Sequence, residues 1–202
     1  MSHKLLIATH NQGKVREYRA LLADLPLEIT YLDAEGVAFE AEETGQTFAA
    51  NAIMKARAYA SHTGLLTWAD DSGLEVDALG GAPGVLSARY GAPVAGSDEE
   101  RYWLLLDRLA GVFDPGQRSA RFRCVVAIAW PDGRLLTAEG ACEGRIALVP
   151  AGQQGFGYDP VFLVAEEGYR QTMAELPPAR KNQISHRGQA AAAAKVALAQ
   201  AL

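Results

Sequence analysis

Residues 68–79, WADDSGLEVDAL, set Asp70 and Asp71 side by side directly after an apolar run, with Ser72 and Gly73 behind them. An ionised carboxylate is costly to take out of water unless solvent, a cation or hydrogen bonds compensate. A divalent ion would offset the mutual repulsion and keep both groups charged. Hard oxygen ligands supplemented by waters suit Mg2+, and no soft or histidine-rich cluster points to zinc. The competing reading is structural: one aspartate caps a turn and the other faces water. A pair that ends a buried strand and leads into Ser-Gly favours the functional reading. Upstream, EAEETG (residues 40–45) carries Glu40, Glu42 and Glu43. These form a solvated acidic loop unless the loop folds back and one of them, Glu43 being nearest the next helix, completes an oxygen-ligand set.

Three further stretches carry chemistry. THNQGK, residues 9–14, joins a strand to a helix, where unpaired backbone N–H groups and the helix dipole suit a phosphate and Lys14 adds a charge. It is not a Walker A loop, which needs Gly at Ala8 and Ser or Thr at Val15. GFGYDP, residues 155–160, combines glycines that permit close approach with Phe156 and Tyr158, either of which offers a base a face to stack on if exposed; the equal alternative is a turn into VFLV with the aromatics packed inside. KNQISHRG, residues 181–188, gathers Lys181, His186 and Arg187, donor-rich side chains that either recognise an acceptor-rich ligand or form a polar helix start. Lys55, Arg57 and Arg89 are further cations that serve either a polyphosphate or solvent.

The elements that must position these residues follow from periodicity. KLLIAT and LEITYL read as strands, and GKVREYRALLADL between them has helical spacing. Thr47–His62 reads as a helix stopped by Gly64, and LLTWA as the strand that delivers the acidic pair, with GLEVDAL resuming extended structure. GGAPG is a turn. SDEERYWLLLDRLAG is a helix with Ser97 and Glu100 in capping-box register, closing on Gly111. SARFRCVVAIAW, the turn PDG and RLLTAEGACEGRIAL form a long β-hairpin, PVFLV a last strand, and Gln189–Leu202 a helix. Strands alternate with helices early while a hairpin dominates the middle, which predicts α/β architecture: a mixed sheet flanked by helices rather than a doubly wound one.

The 202 residues make one domain, 1–202, or two tightly joined lobes. A net charge of −5 argues against non-specific nucleic-acid binding. Cys124 and Cys142 lack metal spacing and read as reduced core residues. The apolar run Leu5–Ala8 is too short for a signal peptide or a membrane span, so a cytoplasmic protein without membrane attachment is expected.

Taken in order, THNQGK, EETGQTFAANAIMKARAYA, ADDSGLEVDALGGAPGVLSARYG, GQQGFGYDP and ISHRGQA resemble the inosine/xanthosine triphosphate pyrophosphatases, house-cleaning enzymes for deaminated purine nucleotides. The resemblance covers essentially the whole chain and implies an elongated mixed sheet flanked by helices, in two lobes with a central active-site cleft, in a homodimer. By the same resemblance the loop Thr9, His10, Asn11, Gln12, Gly13 and Lys14 embraces the substrate phosphates, and Lys55 meets the triphosphate. Asp71 is proton acceptor and Mg2+ ligand, Glu43 a second ligand, Asp70 lies beside the metal, and Ser72 contacts substrate. Phe156, Gly157, Tyr158 and Asp159 form part of the base pocket, which Lys181, His186 and Arg187 close. His10 stands where many relatives carry glycine, so backbone access to a phosphate is expected to be narrower there.

The implied reaction is attack of water on the α-phosphorus of ITP, dITP or XTP, releasing pyrophosphate, with positioning and electrostatics dominating. Donors facing the base edge would find an O6 acceptor on these bases and an amino group on adenine. Such a mismatch discriminates by roughly 10⁴-fold or more. Two other readings compete with it. An aspartyl-phosphate phosphatase spaces its two aspartates by one residue, whereas these are adjacent. A nucleotide-binding module without chemistry leaves the acidic pair without a purpose.

Overall fold

Residues 4–201 are described by the structure, a computed structural model. Strands β1 (Lys4–Ile7), β2 (Glu28–Tyr31), β3 (Leu66–Val76), β4 (Ser119–Ala129), β5 (Leu135–Ile146) and β6 (Phe162–Val164) form a sheet in the order β2-β1-β3-β4-β5-β6. β1 runs parallel to both neighbours, with Ile7 opposite Tyr31 and Trp68, while β5 and β6 are antiparallel. The sheet is therefore mixed, as the alternation followed by a hairpin predicts. The chain divides into two compact units. One takes in the chain to Asp71, Cys124–Gly140 and the chain from Arg187; the other takes in Ser72–Arg123 and Ala141–His186.

Helix ends obey their local signals. α1 (Gln12–Leu21) starts at Asn11, whose Oδ1 accepts from Lys14 N. α2 (Phe48–Thr63) is capped by Thr47 and stopped by Gly64 at φ 69°, a left-handed conformation that favours glycine. α3 (Asp98–Arg108) opens with the reciprocal Ser97–Glu100 capping box. α4 (Pro178–Ile184) and α5 (His186–Ala201) follow.

In the first unit, Leu5, Ile7, Trp68, Cys124, Val126 and Ile128 pack one sheet face against Tyr18 and Leu22 near and beyond the end of α1 and Ala190, Ala191, Ala194 and Leu198 of α5. The small alanines admit this helix close to the sheet. In the second unit the core joins Leu105 and Leu106 of α3 to Phe122, Phe162, Val164 and Tyr158. Arg118 is buried there and satisfied by backbone: its Nε donates to Ile146 O at 2.7 Å, and its terminal nitrogens to Leu109, Val112 and Ala147 carbonyls at 2.8–3.0 Å.

Several boundaries differ from the sequence reading. The acidic pair does not end a strand: β3 runs unbroken through it for 11 residues. Asp77–Leu79 turns instead of extending, because the chain must reverse at Gly80 and Gly81. α3 ends at Arg108, three residues before Gly111. α4 was not anticipated, and the tail helix begins at His186 rather than Gln189; its expected last residue, Leu202, lies outside the described residues.

Arg118→Lys tests the backbone clamp, since an ammonium cannot present the planar fork to four carbonyls. Leaving buried carbonyls unsatisfied is expected to cost about 2–4 kcal/mol, read from chemical denaturation with an unchanged m-value.

Candidate active site

Neighbouring side chains on a strand point to opposite faces of its sheet. The continuity of β3 therefore separates Asp70 from Asp71. Asp70 follows Trp68 onto the face covered by α1 and α5, where Trp68 meets Tyr18 edge to face. Its Oδ2 lies 2.9 Å from Lys14 Nζ and 3.7 Å from Arg187 Nη2, and Cys124 Sγ is 3.9 Å away. Burial works to raise its pKa, but the charges of Lys14, Arg187 and Lys55 outweigh burial and hold the carboxyl well below the usual range. Arg187 is buried too, with Nη1 2.6 Å from Glu17 Oε2; burial opposes its charge, and Asp70 and Glu17 more than restore it. Burial pushes the Cys124 thiol up to about 12, so it stays protonated.

Asp71 faces α2. Asn51 Nδ2 donates to its Oδ2 at 2.9 Å, and Lys55 Nζ lies 4.0 Å from its Oδ1. Burial dominates here and raises the Asp71 pKa despite Lys55, the Asn51 hydrogen bond and Lys14. Lys55, itself buried, keeps its proton more tightly than usual: burial alone would loosen it, and Asp70, Asp71 and Glu43 reverse that. The same ammonium is 3.1 Å from Glu43 Oε1. Glu40 and Glu42 are exposed, so Glu43 is the glutamate of the three that turns inward. Its loop is pinned by Tyr59, whose hydroxyl donates to Phe39 O at 3.1 Å and accepts from Ala41 N at 3.2 Å.

The predicted phosphate loop occupies the joint between β1 and α1, with Gln12, Gly13 and Lys14 already in the first helical turn. Thr9 Oγ1 accepts from Asn11 N at 3.1 Å, and Asn11 caps Lys14 N, which leaves first-turn N–H groups directed out of the helix. His10 is exposed and turned to Asp33, Nδ1 to Oδ1 at 2.6 Å; Gln12 Nε2 donates to the other Asp33 oxygen at 2.8 Å.

In the second unit, Ser72 stands half-buried on β3. Asp159 is buried and accepts from Phe156 N at 2.9 Å and from Lys181 Nζ at 2.7 Å. A side chain on Gly155 would meet Asp159 Oδ2 at 2.0 Å, which is why glycine stands there. Gly157 N donates to Asp98 Oδ2 at 2.8 Å. Lys181 Nζ lies 5.1 Å from the centroid of the half-buried Phe156 ring. Tyr158 does not offer a stacking face: it is core, with its hydroxyl donating to Ser87 O at 2.9 Å. His186 is buried and stacked on Phe122, centroids 4.7 Å apart. Arg57 and Arg89 are exposed.

The structure thus brings together Lys14, Asp70 and Arg187, then Glu43, Lys55 and Asp71, then Phe156, Asp159 and Lys181. Among the described residues no three His, Cys, Asp or Glu side chains are gathered into a ready metal cage. Glu43 and Asp71 nevertheless share one cation, the Lys55 ammonium, and both offer hard oxygen donors. That pair fits a divalent ion of the Mg2+ type completed by waters, while Asp70 is committed to Lys14 and Arg187.

The sequence profile of the Ham1 family matches residues 5–197. The chain belongs to the Ham1 family. It is 53% identical over 188 residues to a dITP/XTP pyrophosphatase of Desulforamulus reducens, covering 93% of this chain and 91% of the relative. It is 53% identical over 194 residues to the enzyme of the same name from Methylococcus capsulatus, covering 95% and 94%. A HAM1 protein from Coxiella burnetii superposes with a TM-score of 0.86 at 42% identity over 98% of this chain and 99% of that one. A nucleoside-triphosphatase / dITP/XTP pyrophosphatase from Mycobacterium abscessus gives 0.74 at 43% identity over 95% and 98%. In this Ham1-family chain, sequence reasoning missed Asn51, Glu17, Asp33 and Asp98 as partners of the site residues. Asn51 carried a signal: a polar residue on the apolar side of α2, one turn before Lys55.

Asp70→Asn leaves Lys14 and Arg187 without their buried counter-charge, an expected cost of about 3–5 kcal/mol. At about 2–4 °C per kcal/mol, Tm at pH 7 should fall by roughly 6–20 °C in a thermal melt. Because the native carboxyl is depressed, its stabilisation is complete above about pH 4 and is lost as pH falls below that value. The gap between wild type and variant should close only on the acid side of that point.

Proposed function

We propose that this chain hydrolyses the deaminated purine nucleoside triphosphates ITP, dITP and XTP to the monophosphate and pyrophosphate, keeping them out of DNA and RNA. The observation that carries this reading is the division of labour on β3. Asp70 is a fixed anion that holds Lys14 at the phosphate loop, and Asp71 is a carboxylate of raised proton affinity on the opposite face. The names borne by its Ham1-family relatives point to the same reaction.

In the proposed reaction a water oxygen bonds to the α-phosphorus as the bond from that phosphorus to the bridging oxygen breaks. Pyrophosphate leaves with the electron pair. Asp71 takes the water's proton, for which a carboxylate above its ordinary pKa is the better base. Lys14, the first-turn N–H groups of α1 and Lys55 neutralise the triphosphate. A divalent cation, Mg2+ in this reading, held by Glu43 and Asp71 would polarise the phosphoryl oxygens and acidify the attacking water. Phe156 provides a face for the base, and the Lys181 ammonium, oriented by Asp159, faces an O6 acceptor more favourably than an amino group. Arg187 closes the base pocket with Lys181 in this reading, and its guanidinium also supports Asp70. Ser72 and His186 lie next in the chain to Asp71 and Arg187 and complete the substrate-binding set.

We place the protein in the cytoplasm as a homodimer that binds no nucleic acid. No helix of the described residues is long and apolar enough to cross a membrane, Cys124 and Cys142 are both free thiols, and Val94, Trp103 and Phe113 expose apolar surface that a second copy could cover.

Pyrophosphate release from a panel of ITP, dITP, XTP, GTP and ATP, with and without Mg2+, tests the assignment. The expected order puts the deaminated nucleotides first, and a preference for ATP overturns it. Asp71→Asn should lower kcat by about 10²–10⁴-fold. In the metal-free protein the Asp71 carboxyl should titrate above the ordinary aspartate value of about 3.9, because burial outweighs Lys55 and the Asn51 hydrogen bond; NMR of its carboxyl carbon against pH checks this.

A further inference from the structure

We propose that Asn51 is a positioning residue for hydrolysis, setting the register between Asp71 and the segment that carries Glu43. The inference rests on the reading of Asp71 as proton acceptor and extends it to a residue that need not touch substrate.

Asn51 lies one turn into α2 and is completely buried. Asparagine is a mediocre helix former, and a buried amide costs free energy unless its donors and acceptors are matched. Its place on α2 is therefore explained by what it joins. Nδ2 donates to Asp71 Oδ2 at 2.9 Å, and Oδ1 accepts from Gly45 N at 2.8 Å. One planar group thus spans β3 and the Glu43 segment, since Gly45 is two residues beyond Glu43. The fit is close: a side chain at Gly45 would stand 2.6 Å from Asn51 Oδ1 and 2.8 Å from Ala50 Cβ.

Lys55, four residues on, occupies the same helix face and reaches the same two acids. α2 therefore presents a neutral donor and, one turn later, a cation. The amide engages Oδ2 of Asp71, and the other oxygen, Oδ1, lies 4.0 Å from Lys55 Nζ. Aspartate at position 51 could still accept from Gly45 but not donate to Asp71, and it would add a like charge.

The experiment compares wild type, Asp71→Asn, Asn51→Asp, Asn51→Ser and the exchange variant Asn51→Asp/Asp71→Asn for kcat and KM on ITP and for Tm. If Asn51 positions Asp71, both single variants at 51 lose about a hundredfold in kcat, with KM within about threefold of wild type. The exchange variant restores a donor–acceptor pair with its direction reversed. It should regain Tm relative to Asn51→Asp while its kcat stays at the level of Asp71→Asn, because the effects of residues acting as a unit do not add. Wild-type kcat in folded Asn51→Ser and Asn51→Asp overturns the proposal. So does failure of both to fold, which makes Asn51 a stability residue only. Wild-type kcat in Asp71→Asn instead overturns the reading of Asp71, so the two failures are told apart.

Discussion

The alternating pleat of β3 is the constraint on which the rest depends. Two aspartates adjacent in sequence would repel strongly if their carboxylates shared one environment at low dielectric. An extended backbone sends them to opposite faces, and the two faces are built differently. On one, Lys14 and Arg187 outweigh the penalty of burial, and Asp70 is an anion under all ordinary conditions. On the other, burial outweighs Lys55, the Asn51 amide and Lys14, so Asp71 binds its proton more tightly than a solvated aspartate. Identical side chains thereby acquire opposite shifts in proton affinity.

Much of the acidic and polar chemistry in the chain serves to hold other groups still. Asp33 accepts from two residues of the phosphate loop, Asp98 from the Gly157 amide, and Asp159 from both the Phe156 amide and Lys181. Glycines at 45 and 155 stand where a side chain would strike the group being held. Phe39 stacks on His62 at 5.1 Å and, with the Tyr59 hydroxyl, fixes the approach of the Glu43 loop. Such supports leave ligand-facing groups on rigid elements, which pre-organised electrostatic catalysis requires.

Motif order along the chain was enough to expect the family, the mixed sheet and the kinds of side chain at the site. Helix boundaries set by short-range chemistry were legible for the same reason: Thr47 and Gly64 around α2, and Ser97 with Glu100 at α3, act within one turn. Legibility failed where a neighbour distant in sequence decides. Phe156 and Tyr158 are alike as letters, yet the core of the second unit claims Tyr158 through Ser87. Arg187 meets Glu17, 170 residues earlier, and Asp70, partners that its own neighbourhood in the chain does not announce.

What the sequence by itself determined is the inventory: two adjacent carboxylates on an extended segment, an amide-rich joint before a helix, and cations at 14, 55 and 187. That Asp70 and Asp71 part company follows only once β3 is seen to run unbroken through both. Only the tertiary structure decided which helices cover each face of β3, and therefore which acid meets two cations and which meets an amide. Local geometry repeats along a chain and can be read from it, whereas the field at a buried carboxylate is a sum over groups that folding alone brings near.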